Sequence, residues 1–298
     1  LVALVPAAIP KVYDAVDCIS LLLERTLASS HSWRQRLLAA LELQRCRAYE
    51  SLILNRFDQV AVTSPEDQRA LSALAPQSRV VVIPNGVDLD YFYPLDVPRE
   101  TATLVFSGKM SYHANVTALL HFYRNIFPLI KKHKPDVRLR VVGNDPPPVV
   151  SALARDPSVS VTGYLPDIRP SLGCATVAIC PVTVKVGIQN KLLESMAMGL
   201  PTVSTKEGIQ GLSVEPGRDL LVADDPIEFA DHVCQLLSDP DLRTQIGLAG
   251  RKYVEAYHRW EDAAEKLERL YAEATSARKR DELANPSLVS TLAASEVV

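Results

Sequence analysis

Residues 187–201 read GIQNKLLESMAMGLP. A glycine turn feeds a short helix expected from Asn190, and one carboxylate, Glu194, stands one turn inside it. Gly199-Leu200-Pro201 ends the helix before a strand-like run, 201–205. The first N–H groups of a helix have no partner within it, so a polar loop entering a helix is a ready anion site. A carboxylate one turn further along suits a sugar hydroxyl rather than an anion. Its neighbours Leu192, Leu193, Met196, Ala197 and Met198 are apolar, and a carboxylate there is costly unless paired or hydrogen-bonded. A site for an anion and a hydroxyl together describes a nucleotide-sugar.

Three further loops offer compatible groups. Ser107-Gly108-Lys109 follows an apolar run at 103–108; glycine lets backbone N–H groups approach a ligand closely. Lys109 would bring positive charge to a diphosphate, or is a plain exposed loop lysine. Gly143, in Val142-Gly143-Asn144-Asp145, lies in strong turn chemistry and is either a turn or a ligand loop. Gly163 and Tyr164, in the loop 162–167, would cover a nucleobase through backbone groups, or would form a strand–helix connection capped by Asp167. In 187–191 the bland alternative is helix capping by Asn190 alone.

The elements that must position these loops alternate. Strands are expected at 103–108, 137–143, 159–164, 175–182, 201–205 and 220–224, and helices at 115–133, 226–239, 241–257 and 260–280, the first capped by Asn115. Such alternation implies parallel βαβ units in a doubly wound α/β sheet, whose ligands bind beyond the carboxyl ends of the strands. Gly108, Gly143, Gly163 and Gly187 all fall at or beyond such ends. Upstream, 1–10 reads as a buried strand, and 12–27 begins as a strand and becomes amphipathic. Residues 34–57 form a long helical pattern through Leu37, Leu38, Leu41, Leu43, Tyr49, Leu52 and Ile53. Residues 58–64 form a strand, and Ser64, Pro65 and Glu66 open a helix as cap, first residue and first-turn acid. Pro84-Asn85-Gly86 ends another strand.

Bulk properties narrow the function. The chain has 298 residues, 47% of them hydrophobic, and a formal net charge of −3, so no whole-chain basic field argues for nucleic acid. No apolar run approaches the roughly 20 residues of a membrane helix. The five cysteines form no CxxC pair and read as reduced thiols of a cytoplasmic protein; neither they nor the six histidines sit at metal-ligand spacing.

In this order the motifs resemble the retaining nucleotide-sugar glycosyltransferases of the GT-B fold, group 1 (family 4). The matching residues are 83–88 (IPNGVD), 106–110 (FSGKM) with Tyr112 and Asn115, Gly143, Gly163-Tyr164, 190–201, 208–212, 219–223 and 257–260. The resemblance covers roughly 80–280 and, more loosely, 12–80. It implies two Rossmann-like domains. Residues 1–84 would be a partial N-terminal, acceptor-side domain and 85–100 a linker. Residues 101–258 would hold the nucleotide-sugar, 259–280 would be a helix returning to the N-terminal domain, and 281–298 a disordered tail. Glu194 would bind the ribose hydroxyls. Lys109, and Lys191 with the helix N-terminus, would stabilise the departing diphosphate in place of a metal. Lys109 and Glu194 are thus the catalytic candidates. Gly108, Gly143, Gly163, Tyr164, Gly187, Ile188, Gln189, Asn190 and Lys191 are the donor-binding ones. No cofactor and no metal are expected. The partners implied are a nucleotide-sugar donor and a saccharide or lipid-linked acceptor, without nucleic acid, for a cytoplasmic enzyme that touches the inner membrane face. Closure of the domains would exclude water.

The chain departs from the family pattern twice. The family's two glutamates are spaced E-x7-E, and Val186 stands where the first belongs, leaving Gly187, Ile188 and Gln189 to meet the donor sugar through backbone or amide groups. Residues 1–84 hold no glycine and are shorter than an ordinary domain, so an N-terminally truncated chain, inactive alone, is expected. A half sheet of that kind would expose an edge. The alternatives are a non-hydrolysing nucleotide-sugar epimerase of the same fold and a non-catalytic nucleotide-sugar-binding protein.

Overall fold

A computed structural model describes residues 5–6, 9–29, 33–183 and 187–284. The protein is α/β and divides into two compact units, Leu1–Pro84 with Glu261–Val298, and Asn85–Trp260.

In the first unit β1 (Val12–Val16) leads to α1 (Ile19–Ser29) and α2 (Trp33–Leu54), then β2 (Gln59–Val62), α3 (Pro65–Leu74) and β3 (Val80–Val82). The strands pair in parallel in the order β1-β2-β3. β2 is fully buried, whereas β1 is partly exposed. Residues 5–6 and 9–10 are not in a strand; the remainder of the strand expected over 1–10 lies outside the described residues. α3 starts as its sequence dictates: the Ser64 hydroxyl accepts from the Asp67 N–H, Pro65 opens the helix, and Glu66 and Asp67 stand in its first turn. α2 departs from its pattern. Leu37, Leu38, Leu41, Tyr49 and Leu52 are exposed, and the buried positions are Ala39, Leu43, Glu50 and Leu54. That inward face includes a carboxylate because Glu50 Oε1 accepts the Ile19 N–H at 2.8 Å and the Ser20 N–H at 3.3 Å, satisfying the open end of α1.

In the second unit β4 (Thr103–Ser107) runs into α4 (His113–His121), a π-helical turn (Phe122–Ile126) and α5 (Phe127–His133). Next come β5 (Arg138–Val142), α6 (Pro148–Ser151), β6 (Val159–Val161), α7 (Arg169–Gly173) and β7 (Val177–Cys180). They are followed by α8 (Asn190–Ala197), β8 (Thr202–Ser204), α9 (Lys206–Ile209), β9 (Leu221–Val222), α10 (Pro226–Ser238) and α11 (Pro240–Tyr257). The single helix expected over 115–133 is interrupted because Pro128 has no N–H to give the ladder, and the chain widens into the π turn just before it. α12 (Trp260–Ala284) runs four residues past the expected 280, and residues 285–298 lie outside the described residues. Within the first unit α12 forms ion pairs through Glu273 with Arg79, at 2.8 Å, and Arg278 with Asp58, at 3.7 Å.

The six strands of this unit are parallel in the order β6-β5-β4-β7-β8-β9. Chain order reverses between β4 and β7, so the helices leave toward opposite faces there and a crevice opens at the strands' carboxyl ends. One large core holds the sheet, with Phe106, Phe122, Phe127 and Phe229 fully buried in it. Residues 85–100, expected as an irregular linker, hold no helix or strand and pack on this unit. Phe92 and Leu89 join its core, Arg251 donates to the Phe92 carbonyl at 2.7 Å, and the Arg169 guanidinium lies 4.0 Å from the Tyr91 ring centroid.

Candidate functional site

The loops after β4 and β5 and the start of α8 meet beside the β4–β7 switch point. β4 is buried throughout and delivers Gly108 at its end with φ +149°. The Gly108 N–H donates to the Val142 carbonyl at 3.0 Å and the Met110 N–H to the Asn144 carbonyl at 3.0 Å, joining this loop to the one after β5. The join is tight: a Cβ on Gly143 would lie 1.8 Å from the Gly108 carbonyl oxygen. Glycine at 143 is therefore required by close backbone approach. Lys109 is exposed beside this junction.

α8 brings in the other half. Its N-cap position is Gln189, a buried side chain whose amide donates to the Gly187 carbonyl at 3.4 Å. Ile188 is buried in the hydrophobic core, so only its backbone remains for a ligand. Asn190 is exposed, and its Oδ1 accepts from the Asn85 amide at 3.0 Å. Asn85 is itself held: its carbonyl accepts from His258 Nδ1 at 2.8 Å, and His258 Nε2 lies 2.9 Å from the Tyr253 hydroxyl.

Lys191 enters the crevice floor. It is buried; its Nζ donates to Asn115 Oδ1 and lies 4.9 Å from the Phe106 ring centroid. Burial pushes this ammonium below the usual lysine range, while Cys180 and Glu194 pull it back up. Glu194 lies three residues on along the same helix. Burial pushes its carboxyl above the usual glutamate range and outweighs the opposite pull of Lys191. The residue is half-buried and, among the described residues, its side chain makes no hydrogen bond, so both carboxylate oxygens can accept from a ligand.

Gly163 takes a left-handed φ of +67° with nothing within 4 Å of where a Cβ would stand, and Tyr164 beside it is 73% exposed. Asp167 stands one residue before the N-cap position, Ile168, and its Oδ1 accepts the N–H of Arg169, the first residue of α7, at 2.9 Å. α7 begins after Ile168, and Asp167 pairs with Arg169 at 2.7 Å, which holds its carboxyl at about 2. Val186 lies outside the described residues. The structure thus brings together Gly108, Lys109, Gly143, Lys191 and Glu194.

Asn115 was misassigned from the sequence. α4 starts two residues earlier, at His113, so Asn115 is the third helical residue rather than the cap. Its amide is buried, donating to the Lys109 carbonyl at 2.9 Å and accepting from Lys191. The available signal was a polar residue among Tyr112, Val116 and Leu119, close in sequence to a glycine–lysine loop.

Residues 101–239 match the family of group 1 glycosyl transferases. The matched segment carries every candidate residue above. The chain is 27% identical over 256 residues to a D-inositol 3-phosphate glycosyltransferase of Corynebacterium diphtheriae, covering 76% of this chain and 59% of that protein. It is 28% identical over 231 residues to a GDP-mannose-dependent alpha-(1-6)-phosphatidylinositol monomannoside mannosyltransferase of Mycobacterium tuberculosis, covering 69% and 59%. The chain therefore spans about three fifths of the length of these curated relatives. Among solved structures, sucrose-phosphate synthase from Thermosynechococcus elongatus aligns with a TM-score of 0.71 at 20% identity, covering 89% of this chain and 68% of that one. The Anabaena protein HepE in complex with UDP and glucose aligns at 0.66 and 16% identity, covering 88% and 71%. These likenesses show a fold of the GT-B type.

Proposed function

We propose that the chain belongs to a glycosyltransferase that moves a sugar from a nucleotide-sugar to a hydroxyl acceptor, with retention of configuration. The observation that carries this reading is Glu194: a half-buried carboxylate with no hydrogen bond among the described residues, one helical turn beyond a buried lysine, at the switch point of a Rossmann-type sheet. Such a group is completed by ligand hydroxyls, and the ribose of a nucleotide supplies two adjacent ones.

In this reading the diphosphate lies against the Gly108–Lys109 loop and the start of α8. Exposed Lys109, buried Lys191 and the free N–H groups of α8 supply positive charge where the leaving group develops negative charge. In this reading these charges take the part a metal would play. The acceptor hydroxyl oxygen bonds to the anomeric carbon on the face the leaving group vacates, the bond to the diphosphate breaks with its electron pair leaving on the diphosphate, and the hydroxyl proton passes to the departing phosphate oxygen. Gly163 and Tyr164 cover the base, and the backbone of Gly187, Ile188 and Gln189 faces the sugar. The names of the curated relatives favour a polyol phosphate or lipid-linked acceptor. Among the described residues no helix is long and apolar enough to cross a membrane.

Isothermal titration with UDP- and GDP-sugars in EDTA tests the reading. The parent should bind one of the two series, and Glu194→Ala should weaken that binding about tenfold or more. No binding by the parent, or equal binding by the alanine variant, would remove this assignment.

A further inference from the structure

We infer that Asn115 is a positioning residue of the donor site, holding the Lys191 ammonium and the Lys109 backbone in one arrangement toward the diphosphate. The inference rests on the nucleotide-sugar reading of the crevice and adds a residue to it. Lys191 offers only donors and a backbone carbonyl only accepts, so the Asn115 amide has one possible orientation: Oδ1 to Lys191 and Nδ2 to the Lys109 carbonyl. Among the described residues Asn115 is the one hydrogen-bond acceptor for Lys191. The amide thus ties the buried Lys191 ammonium to the main chain of the Gly108–Lys109 loop, 82 positions apart in the chain (191 − 109).

The packing leaves this arrangement little slack. Gly108 lies directly over the pair: a Cβ there would stand 2.9 Å from Asn115 Nδ2 and 3.3 Å from Lys191 Cε. The Phe106 ring closes the other side, 4.9 Å from Lys191 Nζ. A neutral acceptor in this position satisfies one donor of the ammonium without cancelling its charge, leaving that charge to act on an anion at the strand ends. A carboxylate of nearly the same shape would cancel it.

That difference separates positioning from mere packing. Asn115→Asp keeps the volume and the acceptor for Lys191. If Asn115 acts on the diphosphate through Lys191, the Asp variant loses affinity for UDP or GDP about tenfold or more, while binding of the bare nucleoside, followed by NMR titration, stays within about twofold. In a Lys191→Met background the same change should have a smaller effect, limited to the lost bond from Asn115 Nδ2 to the Lys109 carbonyl, since the charge is gone. Unchanged diphosphate affinity in the Asp variant would overturn the inference and leave the nucleotide reading standing. Equal losses for diphosphate and nucleoside, or a full loss in the Lys191→Met background, would assign Asn115 to packing and overturn it too. Asn115→Ser and a thermal melt guard against misfolding: if neither Asp nor Ser variant folds, the role is structural and the inference fails. A parent that binds no nucleoside diphosphate would instead remove the reading on which the inference rests.

Discussion

Replacing Glu194 by Gln separates what the crevice does for a ligand from what it costs the fold. The amide is isosteric, keeps one acceptor and loses the charge. Because burial holds the Glu194 carboxyl above its unfolded value, the folded chain retains a proton there that the unfolded chain has already released. Stability must therefore fall as pH rises from the ordinary glutamate range, near 4.3, toward the higher folded value, so a penalty is present at neutral pH. Glu194→Gln should consequently raise Tm at neutral pH and change it little below about pH 4. Binding should move the other way. A hydrogen bond to a charged acceptor contributes about 1.5–3 kcal/mol, so losing the carboxylate should weaken nucleoside diphosphate binding roughly 10- to 150-fold. Calorimetry with UDP or GDP and with the matching 2′,3′-dideoxy nucleotide identifies the hydroxyls: against the dideoxy ligand the Gln variant and the parent should differ little. The reasoning is refuted if the Gln variant is no more stable at neutral pH and binds the ribonucleotide as tightly as the parent.

Further substitutions test individual contacts. Gly143→Ala forces a Cβ to 1.8 Å from the Gly108 carbonyl and should cost about 2–4 kcal/mol, lowering Tm by several degrees and abolishing nucleotide binding. Gly163→Ala meets no atom within 4 Å and carries only the left-handed backbone penalty, about 1–2 kcal/mol, in a thermal melt. Lys109→Ala, at an exposed position, should leave Tm unchanged and weaken diphosphate binding several-fold, with the loss shrinking as salt is added in calorimetry. Glu50→Ala strips the buried cap from α1 and should lower stability by about 1–3 kcal/mol in denaturant unfolding without changing nucleotide affinity.

The strand-end glycines were readable in the sequence because close backbone approach leaves a residue type as its trace: Gly108 and Gly143 follow apolar runs directly. Glu194 was readable because a lone carboxylate in an apolar helix needs a reason. Three features were not readable. Asn115 looked like a cap because Asn is a common one, yet Tyr112, with no capping side chain, precedes the helix, and the tertiary tie to Lys191 decides the role of Asn115. The leucines of α2 suggested its buried face, but the face that packs is built from Ala39, Leu43, Glu50 and Leu54, because the open end of α1 calls for a carboxylate there. The reversal of strand order between β4 and β7, which locates the crevice, belongs to the pairing of strands far apart in sequence, and local periodicity does not carry it.

The most direct test is a crystal structure of the chain with UDP or GDP bound. The account predicts the diphosphate against the Gly108–Lys109 loop and the first turn of α8, with both ribose hydroxyls within hydrogen-bond distance of the Glu194 carboxylate. A nucleotide seated instead in the groove lined by Arg218, Lys252 and Tyr257, or a ribose turned away from Glu194, would contradict it.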